Sequence, residues 1–152
     1  MRLWASVAGN LYSKEDTMKS GRWIRNAAMA AIMPALLACS QSGAYVDFAQ
    51  PKDGAELGRT FKVVMQVHGM QVHKAGELIE GTGHHHLIID GGFIPRGETV
   101  PKDATHLHFG KGQTETMLTL NPGEHTLTLQ FADGHHQSYG KALSKTIHVH
   151  VK

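Results

Sequence analysis

TETMLTLNPGEHTLTLQF, residues 114–131, holds two β-strand patterns and the bend between them. After Glu124, the residues His125, Leu127, Leu129 and Phe131 alternate with Thr126, Thr128 and Gln130. That two-residue period belongs to a strand with one buried face. Thr114–Leu120 is the other strand. Asn121-Pro122-Gly123-Glu124 separates the two, because proline presets φ at a bend and glycine admits positive φ. The two runs are expected to be partners. His125, on the apolar face just past the bend, reads as a buried, hydrogen-bonded structural histidine.

The same period recurs outward in both directions. Phe61, Val63, Met65 and Val67 alternate with Lys62, Val64, Gln66 and His68, which places Met65 in the core. His85, Leu87 and Ile89 alternate with His84, His86, Ile88 and Asp90, and Gly91-Gly92 ends that run. Ile147, Val149 and Val151 give a last strand its core face, leaving His148 and His150 toward solvent. Tyr45–Ala49 is a first strand, stopped by Pro51-Lys52-Asp53-Gly54. Residues 69–83 show little pattern and read as a loop. No stretch sustains a helical period. About seven strands with regular turn signals predict an all-β fold, an immunoglobulin-like antiparallel β-sandwich.

The N-terminal region reads as an export signal. Lys19, Arg22 and Arg25 precede twelve mostly apolar residues, Ala27–Ala38, too short to span a bilayer. Leu36-Leu37-Ala38-Cys39 resembles a bacterial lipobox, which implies cleavage before Cys39 and a lipid on it. Ser40 is compatible with the outer membrane in similar lipoproteins. Glu15 and Asp16 do not suit a basic leader, so residues 1–17 read as an extension upstream of a start at Met18. The expected organisation is a signal peptide at 18–38, a lipidated cysteine and tether at 39–44, and a sandwich domain at 45–152.

Residues 39–152 carry ten basic against eleven acidic side chains, so no basic patch argues for nucleic acid. Cys39 is the single cysteine, which excludes an internal disulfide and a thiolate nucleophile. The expected partners are the membrane, through the lipid, and an envelope protein on the periplasmic side.

All twelve histidines lie after residue 67. On a strand, His-x-His places two imidazoles on one face about 7 Å apart at Cα. His84/His86 and His106/His108 have that spacing, and Asp133-Gly134-His135-His136 adds two more rings. If the segments adjoin, four nitrogens could hold copper or zinc. The candidate ligands are therefore His84, His86, His106 and His108, with His135 and Met70 as outer candidates. Met70 would add a thioether suited to Cu(I). The competing reading keeps these histidines as structural or pH-responsive groups of a non-enzymatic interaction module.

Catalysis has less support. Ser138 and Ser144 lack the surroundings of a nucleophile elbow, and Glu80 and Glu115 near the histidines lack a His-Glu-x-x-His helix. A zinc hydrolase is thus the third reading. Gly110-Lys111-Gly112-Gln113-Thr114 is not a phosphate loop, because glycine follows the lysine and a strand follows the loop. Lys111 and Glu115 are expected to form a local ion pair.

Several of these motifs together resemble the bacterial domain-of-unknown-function 4399 family. They are Gly69-Met70-Gln71-Val72, Gly81–Asp90 with its three consecutive histidines, and His106–Glu115 with Gly-Lys-Gly-Gln-Thr-Glu. Leu120–Leu127 and Ala132-Asp133-Gly134-His135 extend the likeness, which departs at Lys74 and in residues 137–143. The resemblance implies an exported small β-sandwich and supplies no activity. A weaker likeness, in Pro51–Ala55 and in Pro122-Gly123 through His135, is to CopC-type periplasmic copper-binding proteins. It implies His135 as a copper ligand, but those proteins also use a free N-terminal histidine that an acylated Cys39 would replace.

Overall fold

The computed structural model describes residues 43–152. The expected extension, signal peptide, Cys39 and most of the tether lie outside the described residues. Among the described residues there are nine strands: β1 (Tyr45–Gln50), β2 (Ala55–Leu57), β3 (Thr60–His68), β4 (Gln71–Val72), β5 (Thr82–Ile89), β6 (His106–His108), β7 (Glu115–Thr119), β8 (Gly123–Ala132) and β9 (Ser144–Val151). A 3₁₀ turn at Lys141–Leu143 precedes β9.

Two sheets pack as a sandwich. One has the order β1-β3-β7; the other runs β2-β9-β8-β5, with β4 and β6 both against the far edge of β5. The alternating residues behave as their period requires. Val63 and Met65 of β3, Leu127, Leu129 and Phe131 of β8, and Val149 of β9 are almost wholly buried in one core. Each such side chain contributes roughly 1.5–3 kcal/mol by leaving water.

Three expectations need correcting. β7 and β8 are not partners: β7 pairs with β3 in the first sheet, and β8 lies between β5 and β9 in the second. The Pro-Gly bend is thus an arch between sheets, since turn chemistry fixes a change of direction but not the next neighbour. Residues 69–83 are not all loop, because Gln71 and Val72 pair in parallel with Thr82 and Gly83. Glu115 pairs not with Lys111 but with Lys62, 2.9 Å away across the β3–β7 ladder.

The outer face of the second sheet positions the site. Thr128 and Gln130, on the polar face of β8, are fully buried. The chain after β5 covers them: Thr128 Oγ1 donates to the carbonyl of Gly91, and Ile94 N–H donates to Oε1 of Gln130. Val100 N–H donates to the carbonyl of His136, and Ser138 Oγ donates to that of Ile94. A strand pattern that reads as half solvent-exposed therefore lies beneath a third layer.

Candidate metal centre

β5 has two faces with different company. His85, Leu87 and Ile89 stand opposite Phe131, Leu129 and Leu127 of β8 and face the sandwich core. His84 and His86 alternate with these on the opposite side of the strand, and both are completely buried. On the other edge of β5, His86 is directly opposite His108 of β6. A fourth ring, His136, arrives from the turn after β8.

That turn is held by Asp133. Its Oδ1 accepts the N–H groups of His135 and Gln137 at 2.8 and 2.9 Å. Its carbonyl accepts the N–H of His136. His136 sits at φ 68, in the left-handed region. A residue with a Cβ pays about 1–2 kcal/mol there, and such outliers gather at functional sites. The conformation brings the imidazole back onto the cluster.

The Nε2 atoms of His84 and His86 are 3.0 Å apart, and those of His108 and His136 are 3.1 Å apart. One ligating nitrogen each from His84, His86 and His108 fall within 4.8 Å of one another. Every pair among the four rings has centroids 4.7 to 5.9 Å apart. Nitrogens bound to one ion at about 2.0–2.1 Å lie roughly 3 Å from their neighbours. In spacing and in donor type, His84, His86 and His108 fit a transition ion, and His136 stands beside them with Nε2 next to that of His108.

Electrostatics adds to the fit. Burial holds His84 at about 4, with His108 and His136 pushing the same way and Asp133 opposing them. Burial, then His84, lowers His85 to about 4. His86 is lower still, through burial first and its ring neighbours second. Burial, His136 and Lys102 also lower His108. The cluster favours neutral imidazole, the form that binds metal.

Without an ion, each short nitrogen pair requires one Nε2–H donating to the other ring's lone pair. Among the described residues, Nδ1 of His84 and of His86, and both nitrogens of His85, have no hydrogen-bond partner. Each buried unpaired group of this kind costs about 1–3 kcal/mol. His84 and His86 also lack the outer carboxylate or carbonyl that commonly orients a metal-binding imidazole. Contact with the neighbouring rings orients them instead.

Of the sequence candidates, the structure brings His84, His86 and His108 together and leaves three outside. His106 lies opposite Ile88, one step past the cluster, with Nδ1 2.9 Å from Asp103. The antiparallel register, which alternation cannot supply, decided between the two β6 histidines. His135 is exposed on the turn, so the ring that reaches the site is its neighbour His136. Met70 packs against the hydrophobic core. His136 was missed because its direction depends on positive φ; the signal was Asp133-Gly134, a turn pair that redirects the next two side chains.

The other histidines have local roles. His125 is half-buried, with Nδ1 2.8 Å from Asp90 and Nε2 3.0 Å from the carbonyl of Asn121. The Asp90 hydrogen bond raises its pKa, against the effect of burial. His148 and His150 stand on the outer side of β9 beside Asp53 and Glu124.

No curated protein and no solved structure matches the chain. A profile of the family described as Domain of unknown function (DUF4399) matches residues 63–152, which include all four clustered histidines and the strands and turn that carry them. That match spans more than half of the sequence, and the chain belongs to this family.

Proposed function

We propose that the protein binds a first-row transition ion, copper ahead of zinc, through Nε2 of His84, His86, His108 and His136. It would do so as a lipid-anchored protein on the periplasmic side of a bacterial envelope. The observation carrying the metal reading is the pair of Nε2 separations, 3.0 and 3.1 Å, within a four-ring cluster. Burial keeps His84 and His86 neutral, so binding need not first remove a proton from either. Nitrogen sites bind Cu(II) most strongly in the divalent series, and imidazole also suits zinc. With Met70 in the core there is no sulfur in the set, which favours a divalent ion over Cu(I).

Four protein ligands satisfy a four-coordinate ion and leave no position for a reactive water. The reading is binding, not hydrolysis. Envelope anchoring rests on the basic and apolar runs ending at Leu36-Leu37-Ala38-Cys39. Calorimetric titration of purified, tag-free protein with Cu(II) and Zn(II) tests the metal reading. One tight equivalent is expected, abolished in the His84→Ala/His108→Ala double variant. Titration curves that the double substitution leaves unchanged would end the proposal.

A second reading has its own support. The unpartnered nitrogens of His84, His85 and His86 make protonation disruptive, as a pH-responsive interaction module requires. Protein that takes up no metal, yet opens reversibly between pH 7 and 5, would favour it.

A further inference from the structure

The segment between β4 and β5 crosses all three pieces of chain that supply the clustered histidines. His73 N–H donates to the carbonyl of Gly83 at 2.7 Å, beside His84. Ala75 N–H donates to the carbonyl of Gly110 at 2.8 Å, two residues beyond His108. Gly76 N–H donates to the carbonyl of Gly134 at 2.8 Å, two residues before His136. Three successive contacts thus fall on three glycines, one from each histidine-bearing segment.

The glycines are sterically required. A Cβ on Gly134 would lie 1.8 Å from the carbonyl oxygen of Glu77, a backbone atom that cannot swing aside. A Cβ on Gly110 would lie 2.3 Å from the His108 ring and 3.3 Å from Cβ of Ala75. Close approach of backbone to backbone at Gly134 sets the path of the segment, and the missing Cβ at Gly110 leaves room for the His108 imidazole. His84 and His86 are sealed, whereas His108 and His136 are half-buried and Gly76 and Glu77 face solvent. The segment is bonded to the chain next to each of the more open rings, at Gly110 beyond His108 and at Gly134 before His136.

We infer that residues 73–77 are a backbone clasp that positions the three histidine segments and must lift for an ion to enter or leave. The inference rests on the metal reading above and adds how the site is assembled and gated. The clasp touches the ligand-bearing segments rather than the ion, so its residues are positioning residues. Lys74, Gly76 and Glu77 within it are exposed, and local opening requires least free energy in exposed backbone. An ion joining the three segments would oppose that opening.

Amide hydrogen exchange and zinc release, measured on purified tag-free protein, test it. Zinc should slow exchange at His73, Ala75 and Gly76 by about tenfold or more, because the loaded state closes the clasp. Gly134→Ala, which forces Glu77 away, should speed zinc release to a chelator by about tenfold while the metal-free protein still unfolds cooperatively. Ala75→Pro removes one clasp donor at the surface and should act in the same direction, which covers the case in which Gly134→Ala fails to fold. If wild-type protein binds zinc but the three amides exchange equally fast with and without it, or both variants release zinc at the wild-type rate, the clasp is overturned and the metal reading stands. If wild-type protein binds no zinc or copper, both fall.

Discussion

His84-x-His86 on β5 and His148-x-His150 on β9 are the same motif on two strands of the same sheet. Their outcomes differ. His148 and His150 remain near solvent, where Nδ1 of each faces a carboxylate, Asp53 at 3.4 Å and Glu124 at 2.6 Å. His84 and His86 are fully buried, with their Nε2 atoms on each other and two more rings beside them. Spacing makes two imidazoles neighbours; the cover decides whether they become a site. A carboxylate partner occupies an imidazole nitrogen locally. Burial, with further imidazoles beside it, keeps it neutral.

The largest expected difference between the two pairs is in pH dependence. His84 and His85 titrate at about 4 in the folded protein and at the ordinary histidine value near 6.5 once unfolded. Between those values the unfolded chain binds more protons, so metal-free protein should lose stability as pH falls from about 6.5 toward 4. The loss approaches about 3 kcal/mol for each of the two by the low end. Denaturant midpoints at pH 7.5, 6 and 5 would measure the slope, and His148→Gln/His150→Gln should leave it unchanged. A flat profile would remove the contrast.

Metal affinity should separate the pairs next. His86→Ala with His108→Ala should weaken copper or zinc binding by about a hundredfold or more, a loss of about 2.7 kcal/mol. The His148→Ala/His150→Ala protein should bind as wild type does. Chelator competition reads both. In wild-type protein, free metal at a hundred times Kd should add about 2.7 kcal/mol of stability, and a chelator should remove it.

A smaller effect sharpens the role of the turn. His136→Gly removes one ring and also relieves the positive-φ penalty of about 1 kcal/mol. Metal should bind about tenfold more weakly, while the metal-free protein is no less stable than wild type. Paired titration and thermal unfolding would show whether function and stability part at this residue. The smallest change belongs to the exposed pairs: His150→Gln should shift stability by less than about 0.5 kcal/mol at neutral pH.

How far the sequence carried depends on what each feature is made of. Alternation is local, so Phe61–Val67 and Leu127–Phe131 announced a sandwich, and the shared face of His84 and His86 was readable from period alone. Register is not local. Nothing in His106-Leu107-His108 says that His108 meets His86 while His106 meets Ile88. The strand after Asn121-Pro122-Gly123 was readable, but its partners were not, because a bend can close a hairpin or cross between sheets with the same residues. The segment over Thr128 and Gln130 was hidden for another reason. Residues 91–104 have no period, and their hold on Gln130 and Ser138 consists of scattered hydrogen bonds, one to Gln130 and three to Ser138, that no pattern encodes.

Three consecutive histidines on β5 make the strand intolerant of a shift in its pairing. A displacement by one residue would exchange the two sides, leaving His85 alone toward His108 and His136 and sending two imidazoles among Leu129 and Phe131. Only the correctly aligned chain sets His84 and His86 together beside His108 and His136. Uptake of an ion would then act as a check on folding itself, holding back molecules whose strands had zipped out of step.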